Sequence, residues 1–456
     1  MSALWSSQDM EAATLGRASR AFLATGLSID TRTLKPGDLF VALKGDNRDG
    51  HEFVRAAFDA KASGALVTHR PSDVSAERPL LTVAHTQRAL EDLGRASRAR
   101  TNAKIVAVTG SAGKTTTKEM LRFALSALGP THCSAASYNN HWGVPLSLAS
   151  MPRDAMYGVF EIGMNHFGEI RALTGFVRPH VALITTIAPA HLEFFGNCDA
   201  IADAKAEIFE SIAPGGAALI PGDIAETERL VRRAHQAGVT RVHTFGRGGN
   251  CDAKILDVDD SDGVMRLRAD IFGKPVDARI GAPGAHIAGN AVGTLAAVTL
   301  LDGDVFNAAA AFKNFSALKG RGARFDAGGV HVIDESYNAN PASMAAALTM
   351  LANARGRRIA VLGDMLELGA ESPRLHGELA SPLDAARVDV VFASGPLMKS
   401  LWDALPKGRR GAYATASSDL LPSILAALRE GDTVLVKGSN GSKMGVIVDA
   451  LRARGG

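Results

Sequence analysis

AVTGSAGKTTTKEM, Ala107 to Met120, decides how the middle of this 456-residue chain folds. Ile105-Val106-Ala107-Val108-Thr109 has the pattern of a buried strand, and Lys114 to Leu128 that of a helix with apolar Met120, Leu121, Ala124, Leu125 and Leu128. The glycines of Gly110-Ser111-Ala112-Gly113 therefore lie where a chain leaving a strand turns into a helix. There the backbone N–H groups and the positive end of the helix dipole face one point, which suits phosphate. Lys114 can reach the β- and γ-phosphates of a nucleotide, and the Thr115 hydroxyl can bind Mg2+; with Thr116 these complete the candidate nucleotide-binding residues. The common loop, G-x-x-x-x-G-K-[ST], requires glycine at position 108, where this chain has Val108. The loop is thus clipped, and by itself it leaves kinase and GTPase chemistry open.

The length exceeds what one hydrophobic core supports, so about three domains are expected. Hydrophobic residues make up 46% and charged residues 21%, which allows each domain a sizeable core and argues against long disorder. A formal charge of +3, with no basic run interleaved with aromatics, argues against nucleic acid as a partner. Arg355-Gly356-Arg357-Arg358 and Arg409-Arg410 read as solvated loop charge. Cys133, Cys198 and Cys251 have neither disulfide-framework nor zinc spacing, which fits a reducing compartment. The opening MSALWSSQDMEAATLG has no basic flank before an apolar block, and no apolar run approaches the roughly 20 residues of a membrane span. A cytoplasmic monomer without a transmembrane segment is expected.

Outward from the loop, strand and helix patterns alternate in both directions. Towards the N-terminus, Leu39 to Leu43 and Ala65 to Thr68 read as strands, separated by the turn-rich Lys44 to Gly50 and a helical pattern. A polar, Arg-rich helical pattern over 87–100 closes this unit. On the other side come strands at Gly158-Val159-Phe160 and Val181 to Thr185, then a helix over 199–212. Gly320-Arg321-Gly322-Ala323-Arg324 reads as a flexible link. Strands at 330–333, 359–362, 388–393 and 433–436 then alternate with helices from Pro341, from 372 and over 417–429. The expected fold class is α/β, with domains at 1–103, 104–318 and 319–456 built on parallel sheets covered on both faces.

Mg2+ on phosphates takes one or two protein oxygens besides the loop threonine. Glu161, in Phe160-Glu161-Ile162-Gly163-Met164-Asn165, stands at the end of one buried strand, and His191, in Ala188-Pro189-Ala190-His191-Leu192-Glu193, follows another. The carboxyl ends of parallel strands share one crevice, so loop, glutamate and histidine are expected to converge.

At this point the chain resembles the Mur ligases, over nearly its whole length and in the family's order. The resemblance is carried by Thr109-Gly110-x-x-Gly113-Lys114-Thr115 with Thr117-Lys118-Glu119-Met120. Upstream it includes Ser28-x-Asp30-Thr31-Arg32, Gly37-Asp38-Leu39-Phe40 and Lys44-Gly45-x-Asn47-x-Asp49-Gly50-His51. Downstream it includes Tyr138-Asn139-Asn140-x-x-Gly143-Val144-Pro145, Lys205-x-Glu207-Ile208-Phe209, Asp334 to Pro341, Leu362-Gly363-Asp364-Met365-x-Glu367-Leu368-Gly369 and Lys437-Gly438-Ser439.

The pattern is most similar to the branch that adds D-alanyl-D-alanine. It implies an N-terminal uridine-nucleotide domain, a central P-loop ATPase-like domain and a C-terminal Rossmann-like domain for the incoming dipeptide. In the implied reaction a carboxylate of a UDP-N-acetylmuramoyl-tripeptide attacks the γ-phosphorus of ATP, and the amine of D-alanyl-D-alanine displaces phosphate from the acyl phosphate. Cations crowd such a site because two anions must meet.

By the same resemblance Lys114 and Thr115 hold the triphosphate and a first Mg2+, Glu161 binds metal, and His191 binds a second Mg2+. Lys205 becomes a CO2-derived carbamate that supplies an anionic ligand. Asn290, in His286-Ile287-Ala288-Gly289-Asn290, bonds the adenine, while Ile287 stands where relatives carry an amide. Arg324 reaches the γ-phosphate, and Glu335, Asn338 and Asn340 line the cleft from the C-terminal side. Ser28, Asp30, Lys44, Asn47, Asp49, His51, Asn139 and Asn140 are the implied substrate contacts. The Asp-Asn-Pro-Arg signature of the sibling that adds a diamino acid is absent from the C-terminal third.

Overall fold

The computed structural model describes residues 3–45, 47–135, 137–190, 192–260, 264–282 and 284–455. Among these, three successive stretches of chain each wrap helices around a mainly parallel sheet. The first is a five-stranded sheet in the order Arg17–Ala18, Leu80–Thr82, Gly64–Val67, Asp38–Val41, Gly26–Ser28, parallel except for its first pair. Asp38–Val41 and Gly64–Val67 are buried along their whole length, as strands covered on both faces are.

The helix Thr86–Ala99 carries this unit onto the next. Its apolar face sends Leu90 and Leu93 into a core that holds Leu39, Val41 and Leu81 together with Leu146 and Ala149. On its other side Arg98 donates to the carbonyls of Val177 and Arg178.

The central sheet has nine strands among the described residues. In order they are Lys274–Ile280, Met265–Ile271, Ala253–Asp259, Arg241–Gly246, Ala217–Pro221, Val181–Ile184, Lys104–Thr109, Tyr157–Glu161 and Thr131–Cys133. The strands from Thr131–Cys133 to Ala253–Asp259 run parallel. Ala253–Asp259, Met265–Ile271 and Lys274–Ile280 form an antiparallel meander at the edge, which the expected all-parallel arrangement lacks. Met265–Ile271 alternates buried apolar with exposed or half-buried charged residues, the period of a sheet with one wet face. The helix expected over 199–212 is Cys198–Ala206, tightening into a 3-10 turn at Glu207–Phe209.

The C-terminal sheet has six strands, in the order Ala323–Asp326, His331–Glu335, Thr433–Lys437, Arg358–Gly363, Val390–Ser394 and Arg410–Ala414. The expected link at 320–324 is more ordered than its glycines suggest, because Ala323–Asp326 pairs antiparallel with His331–Glu335. The turn before it is tied to buried Asp334: Gly320 N donates to its carboxylate at 2.9 Å and Gly322 N to its carbonyl at 2.8 Å. Among the described residues no helix is long and apolar enough to cross a membrane.

Candidate active site

Three neighbouring strands of the central sheet end side by side. Lys104–Thr109 runs into Gly110, Tyr157–Glu161 ends on Glu161, and Val181–Ile184 runs into Thr185, with Glu161 in register with Val108 and Ile184 with Thr109. Their ends open into a cleft of ≈ 730 Å³, lined by Ser111 to Thr116, Asn139 and Glu161 from the central domain and by Glu335, Tyr337, Asn338, Asn340 and Lys437 from the C-terminal one. That volume is typical of small-molecule sites.

The clipped loop is held by its neighbours. Gly110 has φ 151° and Gly113, which caps the helix Lys114–Ser126, has φ 82°. A Cβ on Gly110 would stand 1.9 Å from Thr185 Oγ1. That hydroxyl donates to the Ala112 carbonyl at 2.5 Å, while Ser111 N donates to the Thr186 carbonyl. Lys114 Nζ folds back to the Gly110 carbonyl at 2.7 Å. Burial pushes its pKa down; Glu161 opposes this and Arg321 adds to it.

Glu161 is buried and neutral groups bind both its oxygens: Thr115 Oγ1 donates to Oε2 and Asn139 Nδ2 to Oε1, each at 2.7 Å. No lysine or arginine forms an ion pair with it among the described residues. A buried carboxylate beside the loop threonine, bonded by neutral groups and forming no ion pair among the described residues, fits a divalent ion that also rests on phosphate. The described residues hold no group of three or more His, Cys, Asp or Glu that would form an all-protein metal cage. His191 lies outside the described residues.

Lys205, near the end of Cys198–Ala206, is 1% exposed and has no acidic partner among the described residues. Burial and then the charge of Lys114 hold its pKa well below the ordinary 10.5. Both disfavour the ammonium form, and Lys205 lies outside the lining of the cleft.

Residues 24–111, 108–298 and 320–440 match, in turn, the families described as Mur ligase family, catalytic domain; Mur ligase middle domain; and Mur ligase, glutamate ligase domain. The UDP-N-acetylmuramoyl-tripeptide–D-alanyl-D-alanine ligase of Escherichia coli (strain K12) is 36% identical over 94% of this chain and 94% of that protein. The protein of the same description from Rickettsia prowazekii (strain Madrid E) is 32% identical over 98% and 99%. The chain belongs to the Mur ligase family. The crystal structure of MurF from Acinetobacter baumannii superposes with a TM-score of 0.87 at 30% identity, covering 98% of this chain and 99% of that one.

This Mur ligase places other expected residues unevenly. Asn290 lines the cleft, beside Gly113, with its Nδ2 buried and unpartnered. Ile287 is packed into the central core instead, so it presents nothing to a base. Phe245 supplies an apolar wall; its ring sits 3.0 Å from where a Cβ on Gly293 would stand. Asn340 caps the helix Pro341–Ala352 and its Nδ2 lies 3.4 Å from the Ser111 carbonyl. Glu335 and buried Lys437 are register partners at the ends of adjacent strands; Lys437 Nζ donates to Glu335 Oε2 at 3.2 Å and to the Asn338 carbonyl at 2.9 Å.

Arg324 does not reach the cleft wall; Arg321 does. Arg324 lies within Ala323–Asp326, paired opposite Ile333 and exposed, whereas Arg321 precedes the strand in the turn that opens on the cleft. Ser28, Asp30, Lys44, Asn47, Asp49, His51 and Asn140 lie outside the lining as well. Asp30 pairs with Arg32 at 2.6 Å, and Ser28 Oγ donates to the Asp30 carbonyl. His51 has both ring nitrogens engaged, Nδ1 with Asp49 at 2.6 Å and Nε2 accepting from Thr68 N at 2.9 Å. Asn140 Oδ1 accepts from Trp142 N and Gly143 N, just before the helix Gly143–Ala149. Arg321, Tyr337, Phe245 and Lys437 are among the cleft residues that sequence reasoning left without a role.

Proposed function

We propose that this Mur ligase joins D-alanyl-D-alanine to a UDP-N-acetylmuramoyl-tripeptide at the expense of ATP, releasing ADP and phosphate, as a step of peptidoglycan precursor synthesis in the cytoplasm. The observation that carries the reading is the convergence of the loop Gly110–Thr116, buried Glu161 and the C-terminal domain's Glu335, Asn338 and Asn340 on one cleft. The near-full-length likeness to ligases of that description supports the substrates.

Each step follows from charge. The backbone of Ser111 to Gly113 and the Lys114 ammonium receive the triphosphate at the start of Lys114–Ser126, where the helix dipole also favours anions. Thr115 and Glu161 would hold Mg2+, which supplies charge neutralisation where the tripeptide carboxylate meets the γ-phosphate. Asn139 keeps the Glu161 carboxylate turned towards Thr115. Arg321 takes the part assigned to Arg324, adding a cation from the turn that joins the two domains. Residues from the C-terminal domain close the cleft over the acyl phosphate and exclude the water that would hydrolyse it.

Neutral Lys205 reacts with CO2 to give a carbamate and a released proton, placing a negative group near Lys114. His191 serves as a further Mg2+ ligand by its place in Ala188 to Glu193. Asn290 meets the base, and the loops around Ser28, Asp30, Lys44, Asn47, Asp49 and His51 take the uridine-nucleotide end of the substrate.

The test is phosphate release with ATP and Mg2+, omitting either the UDP-N-acetylmuramoyl-tripeptide or D-alanyl-D-alanine. Release that requires both is expected. Release driven instead by a UDP-muramoyl-dipeptide and a diamino acid would overturn the assignment.

A further inference from the structure

Tyr337 is fastened at both ends. Its N–H donates to the Gly320 carbonyl at 3.1 Å, in the turn between the central and C-terminal domains. Its hydroxyl donates to Ser137 Oγ at 2.7 Å, across the interface in the central domain. The Arg321 guanidinium lies over its ring, 4.1 Å from the centroid. Arg321, Tyr337 and Ser137 all line the cleft that the phosphate loop opens into, and Ser137 lies two residues before Asn139, whose amide holds Glu161.

An arginine side chain samples many rotamers, and a planar ring beneath the guanidinium restricts them while leaving its donors free at the edge. Arg321 lines the same cleft as Ser111 to Thr116 of the phosphate loop. Gly320 fits this packing because a Cβ there would come within 2.9 Å of Tyr337 Cβ.

We infer that Tyr337 is a positioning residue: its ring sets Arg321 against the phosphates of ATP, and its hydroxyl, by donating to Ser137, makes that setting depend on the C-terminal domain being seated on the central one. The inference rests on the proposed ligase reading and deepens it. Loss of the Tyr337–Ser137 hydrogen bond leaves the stack but unties it from the central domain; loss of the ring removes the stack itself.

The experiment compares Tyr337→Phe, Ser137→Ala, the two combined, Tyr337→Leu and Arg321→Ala in the full chain. It measures kcat, KM for ATP and the affinity for a non-hydrolysable ATP analogue. Tyr337→Phe and Ser137→Ala are each expected to lower kcat/KM for ATP about 3- to 10-fold, the range of one hydrogen bond. The pair should lose no more than the worse single variant, since both remove the same bond. Tyr337→Leu should approach Arg321→Ala, with analogue affinity falling alongside.

Wild-type parameters in Tyr337→Phe and Ser137→Ala, or losses that simply add, would overturn the inference. If Arg321→Ala abolishes turnover while Tyr337→Leu keeps wild-type kcat/KM for ATP, the positioning role falls and the ligase reading stands. If the wild-type protein releases no phosphate with both substrates present, the two fall together.

Discussion

Gly110→Ala is expected to break the nucleotide site while sparing most of the fold. The new methyl would stand 1.9 Å from Thr185 Oγ1 and 3.1 Å from Thr185 Cβ and N. Relief needs a shift of more than about 1 Å, because methyl and oxygen rest no closer than roughly 3.2 Å. Thr185 cannot simply turn away, since its hydroxyl lies 2.5 Å from the Ala112 carbonyl and 3.2 Å from that of Thr109. Leaving such buried groups unpaired costs about 1–3 kcal/mol, and an alanine at φ 151° adds about 1–3 kcal/mol of backbone strain. The cheapest escape is displacement of the loop itself, so the penalty of about 2–6 kcal/mol should surface as lost nucleotide affinity. At about 1.4 kcal/mol per tenfold, that is a loss of at least about 30-fold.

Calorimetric titration with a non-hydrolysable ATP analogue, alongside thermal unfolding, separates the two effects. Adding Thr185→Ala removes the 1.9 Å contact, so the double variant should bind the analogue better than Gly110→Ala alone. Wild-type affinity and an unchanged unfolding temperature in Gly110→Ala would refute the account of the loop.

Lys205→Ala is expected to lose most turnover and to regain part of it with added short-chain carboxylic acids; intact turnover in the variant would end the carbamate proposal. Glu207 is buried and accepts from Gly168 N at 2.8 Å and Arg171 N at 3.0 Å, capping the helix Glu169–Val177. Glu207→Ala should therefore cost about 1–3 kcal/mol and lower the unfolding midpoint of the central domain by several degrees, with an unchanged midpoint counting against the capping role.

Asp432 is nearly buried, and burial raises its pKa, but bonds from Arg357 at 2.7 and 3.0 Å and from Arg429 N outweigh that and hold it below the ordinary 3.8. A depressed carboxylate binds fewer protons folded than unfolded, so its stabilisation is present above about pH 4 and fades as pH falls through the folded value. Asp432→Asn should show a shallower loss of unfolding midpoint below pH 4 than the wild type; parallel curves would rule out this linkage.

What could be read from the sequence follows the reach of each signal. Lys104–Thr109 and Lys114–Ser126 were legible because their pattern is local: a buried apolar run, a glycine turn and a helix with one apolar face. Glu161 was legible because strand ends in a parallel sheet share an edge. The edge meander carried its signal in the alternation of Met265–Ile271, a period that α/β alternation does not lead one to seek. Arg324 and Arg321 differ by three positions; Arg321 precedes the strand that begins at Ala323 and lines the cleft, while Arg324 lies within the strand and outside the lining. That onset depends on pairing with His331–Glu335, a contact that no glycine-rich stretch reveals on its own. Ile287 similarly reads as a departure from a base-binding pattern, while the fold uses it as core.

The cations of this cleft also bear on the modification proposed for Lys205. Lys114 must be charged to meet phosphate, and Arg321 stands close enough to push its pKa further down. Lys205, buried outside the cleft lining, is pushed the same way, first by burial and then by the charge of Lys114. Neutrality is what nucleophilic attack on CO2 requires, and the product is an anion. On the proposed reading the same surroundings favour the carbamate twice: they disfavour the ammonium, and the carbamate would replace repulsion from Lys114 with attraction.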